Sequence, residues 1–288
     1  MNKKKFIYVL SALLCVAVVT LIIADIFKNM NLPFGQPQET PSPDVEPSPT
    51  PQEAQAEVIF YDKEPYEKEI VNYSDVILPQ NNALGESYID ITLFVCDSNT
   101  EGLAGFGHLY QQNVMGKHSM AIAGVTEDAY IQIVEDNPET EEDESQYITM
   151  MQQLAIRQPA RIIFNFGTNN AGKNASAEHF KSVYSSTIEQ IKAACPNTQI
   201  VLAAILPVCE ERSYMNIRQN VIDEFNLAIA QISREYGCGF LHYPEVFKDS
   251  ITGYANSDYF SKDGVHLNGD GYRLLLDYVA NHQYNTDI

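Results

Sequence analysis

Three short motifs carry the side chains of this sequence that could perform chemistry. Ser98 lies in the run CDSNTEG (96–102), Asn169 lies in GTNN (167–170), and Asp263 and His266 end the run DGVH (263–266). A serine hydroxyl becomes a nucleophile when an imidazole accepts its proton, and a carboxylate can orient that imidazole. A three-residue separation in a turn lets one carboxylate hydrogen-bond an imidazole, so the sequence predicts a Ser98–His266–Asp263 relay.

Each motif also has an ordinary structural interpretation. Asp-Ser after a strand often caps a helix, Gly-Asn often forms a turn, and Asp-x-x-His is common by chance. An asparagine amide can also donate to negative charge that develops on a carbonyl oxygen, which is the functional interpretation of Asn169. Five histidines have no carboxylate at a comparable spacing, and we interpret them as surface or structural residues: His108, His118, His179, His242 and His282.

The elements that must position these motifs alternate along the chain. Apolar runs predict strands at 89–95, 161–166, 199–206 and 239–243, with a weaker strand at 119–123. Helical periodicity predicts helices at 146–157 and 177–194, around 217–232 and around 272–279. This alternation indicates an α/β fold with a parallel sheet and helices on both faces. Functional groups gather at the carboxyl ends of such strands, where the three motifs lie.

With order, spacing and context in agreement, the sequence resembles the SGNH (GDSL-type) hydrolase family over residues 88–282. The four blocks of that family supply Ser, Gly, Asn and His in this order. Ser98 matches the nucleophile, Asn169 the asparagine, and Asp263 with His266 the D-x-x-H block. Gly124, in AGVT (123–126), is the best candidate for the glycine block.

The resemblance implies a flavodoxin-like three-layer α/β/α fold with a central parallel sheet. It also implies an oxyanion hole formed by the Ser98 N–H, the Gly124 N–H and the Asn169 amide. Two positions depart from the family pattern: Cys96 replaces the glycine of the GDS motif, and Asn170 replaces the aspartate after the asparagine. Both changes bear on turn geometry, and neither removes a proton-transfer group.

Composition limits the partners that the protein can have. Lys and Arg total 18 against 38 for Asp and Glu, a formal net charge of -20 that repels phosphate backbones and excludes nucleic acid as a partner. The acidic segment 135–144 lacks the ligand spacing of a calcium loop, and we expect a solvated loop that leads into a helix. The scattered cysteines predict isolated buried thiols rather than a disulfide framework.

The N-terminus predicts attachment to a membrane. Lys3, Lys4 and Lys5 precede an uncharged, mostly apolar run at 6–24, which is long enough to span nearly the whole hydrocarbon layer. No A-x-A pattern follows the run, so we expect an uncleaved anchor at 1–28 with its lysines in the cytoplasm. A proline-rich linker at 29–57 and a catalytic domain at 58–288 would then lie outside the cell.

These observations predict an extracytoplasmic serine esterase that needs no metal or organic cofactor. Anchor and linker suggest an acylated surface glycan as the ester substrate, with short acyl groups such as O-acetyl. An O-acyltransferase acting on wall glycan and a non-catalytic glycan-binding module on the same fold are the alternatives. The acyl chain, the alcohol, the choice between hydrolysis and transfer, and the oligomeric state stay open at this stage. Two further questions also stay open: whether the anchor is cleaved as a signal peptide, and whether Cys195, Cys209 or Cys238 form disulfides.

Overall fold

A five-stranded parallel sheet forms the centre of the computed structural model, which describes residues 61–85, 87–136, 143–173 and 175–284. The strands are β1 Thr92–Cys96, β2 Val114–Gly116, β3 Ile131–Asp136, β4 Asp143–Ile148, β5 Arg161–Asn165, β6 Gln199–Ala203 and β7 Gly239–Leu241. The sheet order is β2-β1-β5-β6-β7, and β3 and β4 form a separate antiparallel pair. This arrangement confirms the predicted α/β class with a central parallel sheet and flanking helices.

The composition of the central strands explains their position in the fold. Every residue of β1 and β5 is buried, because a parallel sheet has its crossover helices packed on both faces. Phe94 of β1 pairs with Val114 of β2 on one side and with Ile163 of β5 on the other. These strands therefore show continuous apolar runs instead of an alternating pattern.

Helices connect the strands in the parallel sheet. They are α1 Glu64–Ile70, α2 Ser87–Asp90, α3 Ser98–Gly105, α4 Gly124–Glu127, α5 Met150–Arg157, α6 Thr168–Ala171, α7 Ala177–Ala194, α8 Gln219–Tyr236, α9 Pro244–Phe247 and α10 Gly269–Ala280. Short 3₁₀ turns span Val71–Tyr73, Gln111–Asn113 and Ser257–Tyr259. The 18-residue helices α7 and α8 pack through the stacked rings of Phe180 and Phe225, whose centroids are 4.0 Å apart. The bounds of α7 are those predicted from the sequence.

The weak strand predicted at 119–123 is wrong. The second strand of the sheet is β2, and 119–123 forms a loop in which Ser119 has a φ of 60°. Met120 and Ile122 are nevertheless buried in the hydrophobic core, and the Asn169 and Asn170 side chains bind their backbone groups. Apolar residues thus produced a strand-like pattern in a segment that packs as a loop.

The predicted helix at 146–157 begins later than expected. Thr149 caps α5 through a hydrogen bond from the Gln152 N–H to its side chain, and the Gln152 side chain accepts from the Thr149 N–H. The residues before this cap form β4 and pair with β3. The ends of the acidic segment therefore lie in a hairpin and not at a helix start, while 137–142 lie outside the described residues. Within the described ranges, no cluster of His, Cys, Asp and Glu could hold a metal ion.

The predicted anchor (1–28) and linker (29–57) lie outside the described residues, and the division into these segments stays a prediction. The described residues all belong to the unit Val58–Ile288. None of the helices in that described part has the length and the apolar character that crossing a membrane requires.

The cysteines of the described part are buried thiols, as their isolated spacing predicts: Cys96, Cys195, Cys209 and Cys238. Burial raises the pKa of the Cys238 thiol to about 11, so this thiol is protonated at neutral pH. A protonated thiol is a poor nucleophile and a poor metal ligand, which makes a structural role the simplest interpretation of Cys238.

Two glycines of α3 allow a matched test of how the helix packs. A Cβ atom on Gly102 would lie 2.0 Å from the hydroxyl oxygen of Tyr272, whereas one on Gly105 would meet nothing within 4 Å. We expect Gly102→Ala to lower the free energy of unfolding by about 1–3 kcal/mol through overpacking. Gly105→Ala should leave it unchanged or raise it by up to about 1 kcal/mol. Chemical denaturation measures both values, and equal effects would contradict the close contact of α3 with α10.

His242 gives the fold a pH dependence of known sign. Burial lowers the pKa of His242 to about 4, with a smaller contribution from Lys248, and the ring nitrogen Nε2 lies 2.8 Å from the hydroxyl of Tyr66. Since the pKa in the unfolded chain is about 6.5, the unfolded state binds more protons between pH 4 and 6.5. The contribution of the neutral ring to the free energy of unfolding is therefore fully present above pH 6.5. Up to about 3 kcal/mol of this contribution is lost by pH 4.

Replacing the ring should remove this part of the pH dependence. His242→Gln is expected to flatten the fall in unfolding free energy between pH 6.5 and 4, while the exposed His179→Gln should not. Denaturant unfolding at several pH values measures the slope. An identical slope in wild type and His242→Gln would show that His242 does not titrate in this window.

Candidate active site

The site lies at the point where the order of the strands changes direction across the sheet. β1 has β2 on one side and β5 on the other, so the loops that leave β1 and β5 diverge at the carboxyl edge of the sheet. Ligands of open parallel sheets bind at such a switch point. Ser98 follows β1 and begins α3, while Gly167 and Asn169 follow β5.

Asp97 fixes the start of α3, where Ser98 is the first helical residue. Its carboxylate is 1 % exposed and accepts a hydrogen bond of 3.0 Å from the Asn99 N–H, an ordinary N-cap. Burial raises the pKa of Asp97 to about 6, while the Asn99 N–H and Thr168 act in the opposite direction. The Ser98 N–H lies in the first turn of the helix, where N–H groups have no acceptor within the helix.

Ser98, His266 and Asp263 meet in a continuous hydrogen-bonded relay. The Ser98 hydroxyl oxygen lies 3.0 Å from Nε2 of His266, and Nδ1 of His266 lies 2.7 Å from Oδ2 of Asp263. The other carboxylate oxygen of Asp263 accepts from the Val265 N–H at 2.9 Å and from the His266 N–H at 3.0 Å. The turn that follows Asp263 thereby holds the carboxylate and the imidazole together.

The electrostatics of the relay favour an ionised Asp263. Partial burial by itself raises the pKa of this carboxyl group, but hydrogen bonds from the His266 and Val265 N–H groups and from the imidazole outweigh burial and hold the pKa below its usual value. An ionised carboxylate keeps the proton of His266 on Nδ1. Nε2 is then an acceptor that faces the Ser98 hydroxyl.

The loop after β5 is tied to the loop after β2 by two neighbouring asparagines. The Asn169 amide donates to the Met120 carbonyl at 3.1 Å, and the Asn170 amide oxygen accepts from the Ile122 N–H at 3.0 Å. Gly167, at the N-cap of α6, has a φ of 143°, and a Cβ atom there would lie 2.3 Å from the Ile205 side chain. Glycine therefore allows the sharp exit from β5 that brings Asn169 to the carboxyl edge.

An open cleft of about 590 Å³ surrounds the relay. Its lining comes from α3, from the segments on either side of β2, from the loop after β6 and from the loop that carries the D-x-x-H motif: Ser98, Glu101, Gly102, Gly105, Gln111, His118, Tyr214, Asp263 and His266. A larger cavity of about 710 Å³ lies beside it around Arg212 and Tyr254, but neither Ser98 nor His266 lines that cavity. The Ser98–His266–Asp263 relay therefore lines the smaller cleft.

A family model described as the GDSL-like Lipase/Acylhydrolase family matches residues 83–274, which include all the motifs at this cleft. The chain belongs to that family. GDSL-like enzymes act as lipases and acylhydrolases by this description, so the protein is a member of an ester-hydrolase family. No curated protein matches the chain significantly.

Solved structures share the fold of this GDSL-like protein. A Streptococcus pneumonia protein described as a platelet activating factor is 22% identical, covers 76% of this chain and 92% of its own, and has a TM-score of 0.51. A GDSL-like lipase from Bacteroides thetaiotaomicron is 17% identical, with 74% and 94% covered and a TM-score of 0.48. A family 3 carbohydrate esterase from Talaromyces cellulolyticus is 13% identical, with 66% and 93% covered and a TM-score of 0.45.

Gly124 has a packing role at the position matched to the glycine block of the GDSL-like family. Its N–H donates to the Ala121 carbonyl at 3.0 Å, and a Cβ atom would lie 2.4 Å from a carboxylate oxygen of Asp128. An oxyanion would have to displace the Ala121 carbonyl before this N–H could bind it. The structure thus brings Ser98, His266 and Asp263 together and leaves the Gly124 N–H committed to its own turn.

The sequence motifs did not reveal three residues at this GDSL-like cleft. The His118 ring lies nearly parallel to the His266 ring, with the centroids 6.3 Å apart, although His118 was interpreted as a surface or structural residue. Glu101 and the 48 % exposed Tyr214 also line the cleft. Glu101 stands one helical turn after Ser98, and this spacing could have revealed it. His118 and Tyr214 come from separate loops that no local spacing connects.

Proposed function

We propose that this protein is a serine esterase in which Ser98 is the nucleophile. The observation that supports this proposal is the relay from Ser98 through His266 to Asp263, with separations of 3.0 Å and 2.7 Å. As the Ser98 oxygen attacks an ester carbonyl, Nε2 of His266 accepts the hydroxyl proton. Asp263 stabilises the imidazolium ion that results. The tetrahedral intermediate then collapses, and His266 returns the proton to the departing alcohol.

Water completes the reaction in the second half of the cycle. His266 removes a proton from a water molecule that attacks the acyl group on Ser98, and the acid leaves as the proton returns to the Ser98 oxygen. The cleft is open, so water can reach the acyl group. No step requires a metal or an organic cofactor.

Stabilisation of the oxyanion rests on two donors at the switch point. The Ser98 N–H lies in the first turn of α3, where the Asp97 cap binds the Asn99 N–H instead. A primary amide such as Asn169 carries two N–H groups, only one of which is needed for the Met120 carbonyl. Gly124 is a third donor only if its turn opens. Donors that are already held in place cost little reorganisation when charge develops.

The proposed substrate is an acylated glycan at the cell surface, with O-acetyl or another short acyl group. The apolar run at 6–24 after three lysines and the proline-rich segment 29–57 support an exported domain that is held at the membrane by its N-terminus. The cleft is open to solvent, as a bulky alcohol such as a glycan would require. Location and substrate are both parts of the proposal.

Covalent labelling of the full-length protein in detergent tests the nucleophile and the reaction together. An organophosphonate should modify Ser98, as mass spectrometry of peptides would show, and should abolish hydrolysis of acetyl and butyryl aryl esters. Adding an oligosaccharide acceptor separates hydrolysis from transfer, because a transferase would form acylated sugar at the expense of free acid. If the organophosphonate labelled a residue other than Ser98 completely and the protein kept its full rate of ester hydrolysis, the proposal would be contradicted.

A further inference from the structure

Glu101 places a carboxylate beside the nucleophile. It lies on α3 three residues after Ser98, and residues at this spacing in a helix have Cβ atoms about 5–6 Å apart. Both residues line the same cleft, and the Glu101 side chain is half-buried. A Cβ atom on Gly116 would lie 2.7 Å from the Glu101 Cβ atom, so the side chain packs over the end of β2.

The Glu101 carboxylate has no cationic partner in the described part of the chain. Glu101 forms no ion pair or side-chain hydrogen bond with any described residue, and neither Lys nor Arg is among the described residues that line the cleft. The amine of Lys117, the lysine closest in sequence to the lining residue His118, donates to the Ala129 carbonyl instead. A positively charged ligand would supply the partner that this carboxylate lacks among the described residues.

The rest of the cleft is also suited to a cation. Asp263 contributes a second negative charge, but its carboxylate is committed to His266 and the neighbouring N–H groups. Tyr214, 48 % exposed, presents an aromatic ring at the same cleft, and such rings attract ammonium groups. The net charge of -20 further raises the local concentration of cations.

We propose that Glu101 determines specificity by binding an ammonium group of the ester substrate. A Cβ separation of about 5–6 Å, the usual value at this helical spacing, suits an ammonium group two or three bonds from the ester, on either the acyl side or the alcohol side. Aminoacyl esters represent the first class and amino-alcohol esters the second. Anionic esters are disfavoured for the same reason. This inference rests on the proposed esterase activity.

Pairs of isosteric esters test the inference with the full-length protein. Acetylcholine and 3,3-dimethylbutyl acetate differ by one positive charge on the alcohol side, and phenyl alaninate and phenyl isobutyrate differ by one on the acyl side. In at least one pair, kcat/KM of the wild-type protein should be about tenfold higher for the cationic ester than for the neutral one. In Glu101→Gln, this ratio of the two kcat/KM values should fall close to the ratio of the uncatalysed hydrolysis rates. Because wild type and variants are compared on the same esters, differences in the intrinsic reactivity of the esters cancel.

Glu178→Gln is the matched control, because Glu178 is an exposed carboxylate on α7 that does not line the cleft. It removes the same charge and should keep the wild-type ratio. A ratio that is unchanged by Glu101→Gln in both pairs, or one that falls equally in Glu178→Gln, would overturn the inference while the hydrolysis itself still supports the esterase. If folded wild-type protein hydrolyses none of the four esters, the proposed function fails, and the inference fails with it.

Discussion

Ser98→Ala and His266→Ala should each lower kcat for ester hydrolysis by roughly 10⁴–10⁶. The reason is that the proposed mechanism uses the hydroxyl and the imidazole as one unit across their 3.0 Å hydrogen bond. Without the hydroxyl there is no atom to carry the acyl group, and without the imidazole the hydroxyl keeps its proton. Steady-state rates on a short-chain aryl ester measure the loss, once the concentration of folded protein has been determined separately.

The double variant distinguishes a relay from two independent effects. Ser98→Ala with His266→Ala should be little slower than either single variant, since each substitution already disables the same step. Ser182→Ala, on the exposed surface of α7, serves as the control and should keep the wild-type rate. A folded Ser98→Ala protein with full activity would show that another residue is the nucleophile.

Asn169→Ala is expected to reduce kcat by about 10²–10³ with little change in KM. The amide of Asn169 lies at the switch point, and the proposed hydrogen bond to a substrate carbonyl oxygen would strengthen only when negative charge develops there. The same substitution also removes the 3.1 Å hydrogen bond to the Met120 carbonyl, so it should lower stability as well. Rates and melting temperature must therefore be measured on the same preparation.

Asn170→Ala provides the matched control for that loss of stability. Asn170 ties the same loop through the Ile122 N–H, so its loss should lower the melting temperature to a similar extent. It should not cause a comparable fall in kcat, because its amide oxygen is an acceptor in this contact and cannot bind an oxyanion. A normal kcat per folded molecule in Asn169→Ala would contradict its role as an oxyanion donor.

The sequence by itself determined the elements whose physics is local. The helix Ala177–Ala194 and the buried strand Arg161–Asn165 have periodicity and apolar content that need no knowledge of distant residues. The geometry of DGVH is equally local, because the N–H groups of Val265 and His266 bind the carboxylate of Asp263 within one turn. The pairing of His266 with Asp263 could therefore be predicted from spacing.

Contacts between segments that are far apart in sequence required the tertiary structure. Burial of Met120 and Ile122 imitated a strand, and only the pairing of Val114 with Phe94 located β2. The N–H of Gly124 was assigned to an oxyanion by family resemblance, but its bond to the Ala121 carbonyl depends on how this loop packs.

The composition of the cleft was decided in the same way. Glu101 lies one helical turn after Ser98, but His118 and Tyr214 come from two separate loops, which the parallel sheet brings to the same edge. Patterns along the chain report backbone periodicity and local hydrogen bonding, which act over a few residues. The side chains that share a cleft with Ser98 are selected by strand order and loop packing, which join residues more than a hundred positions apart, as they join Ser98 to His266.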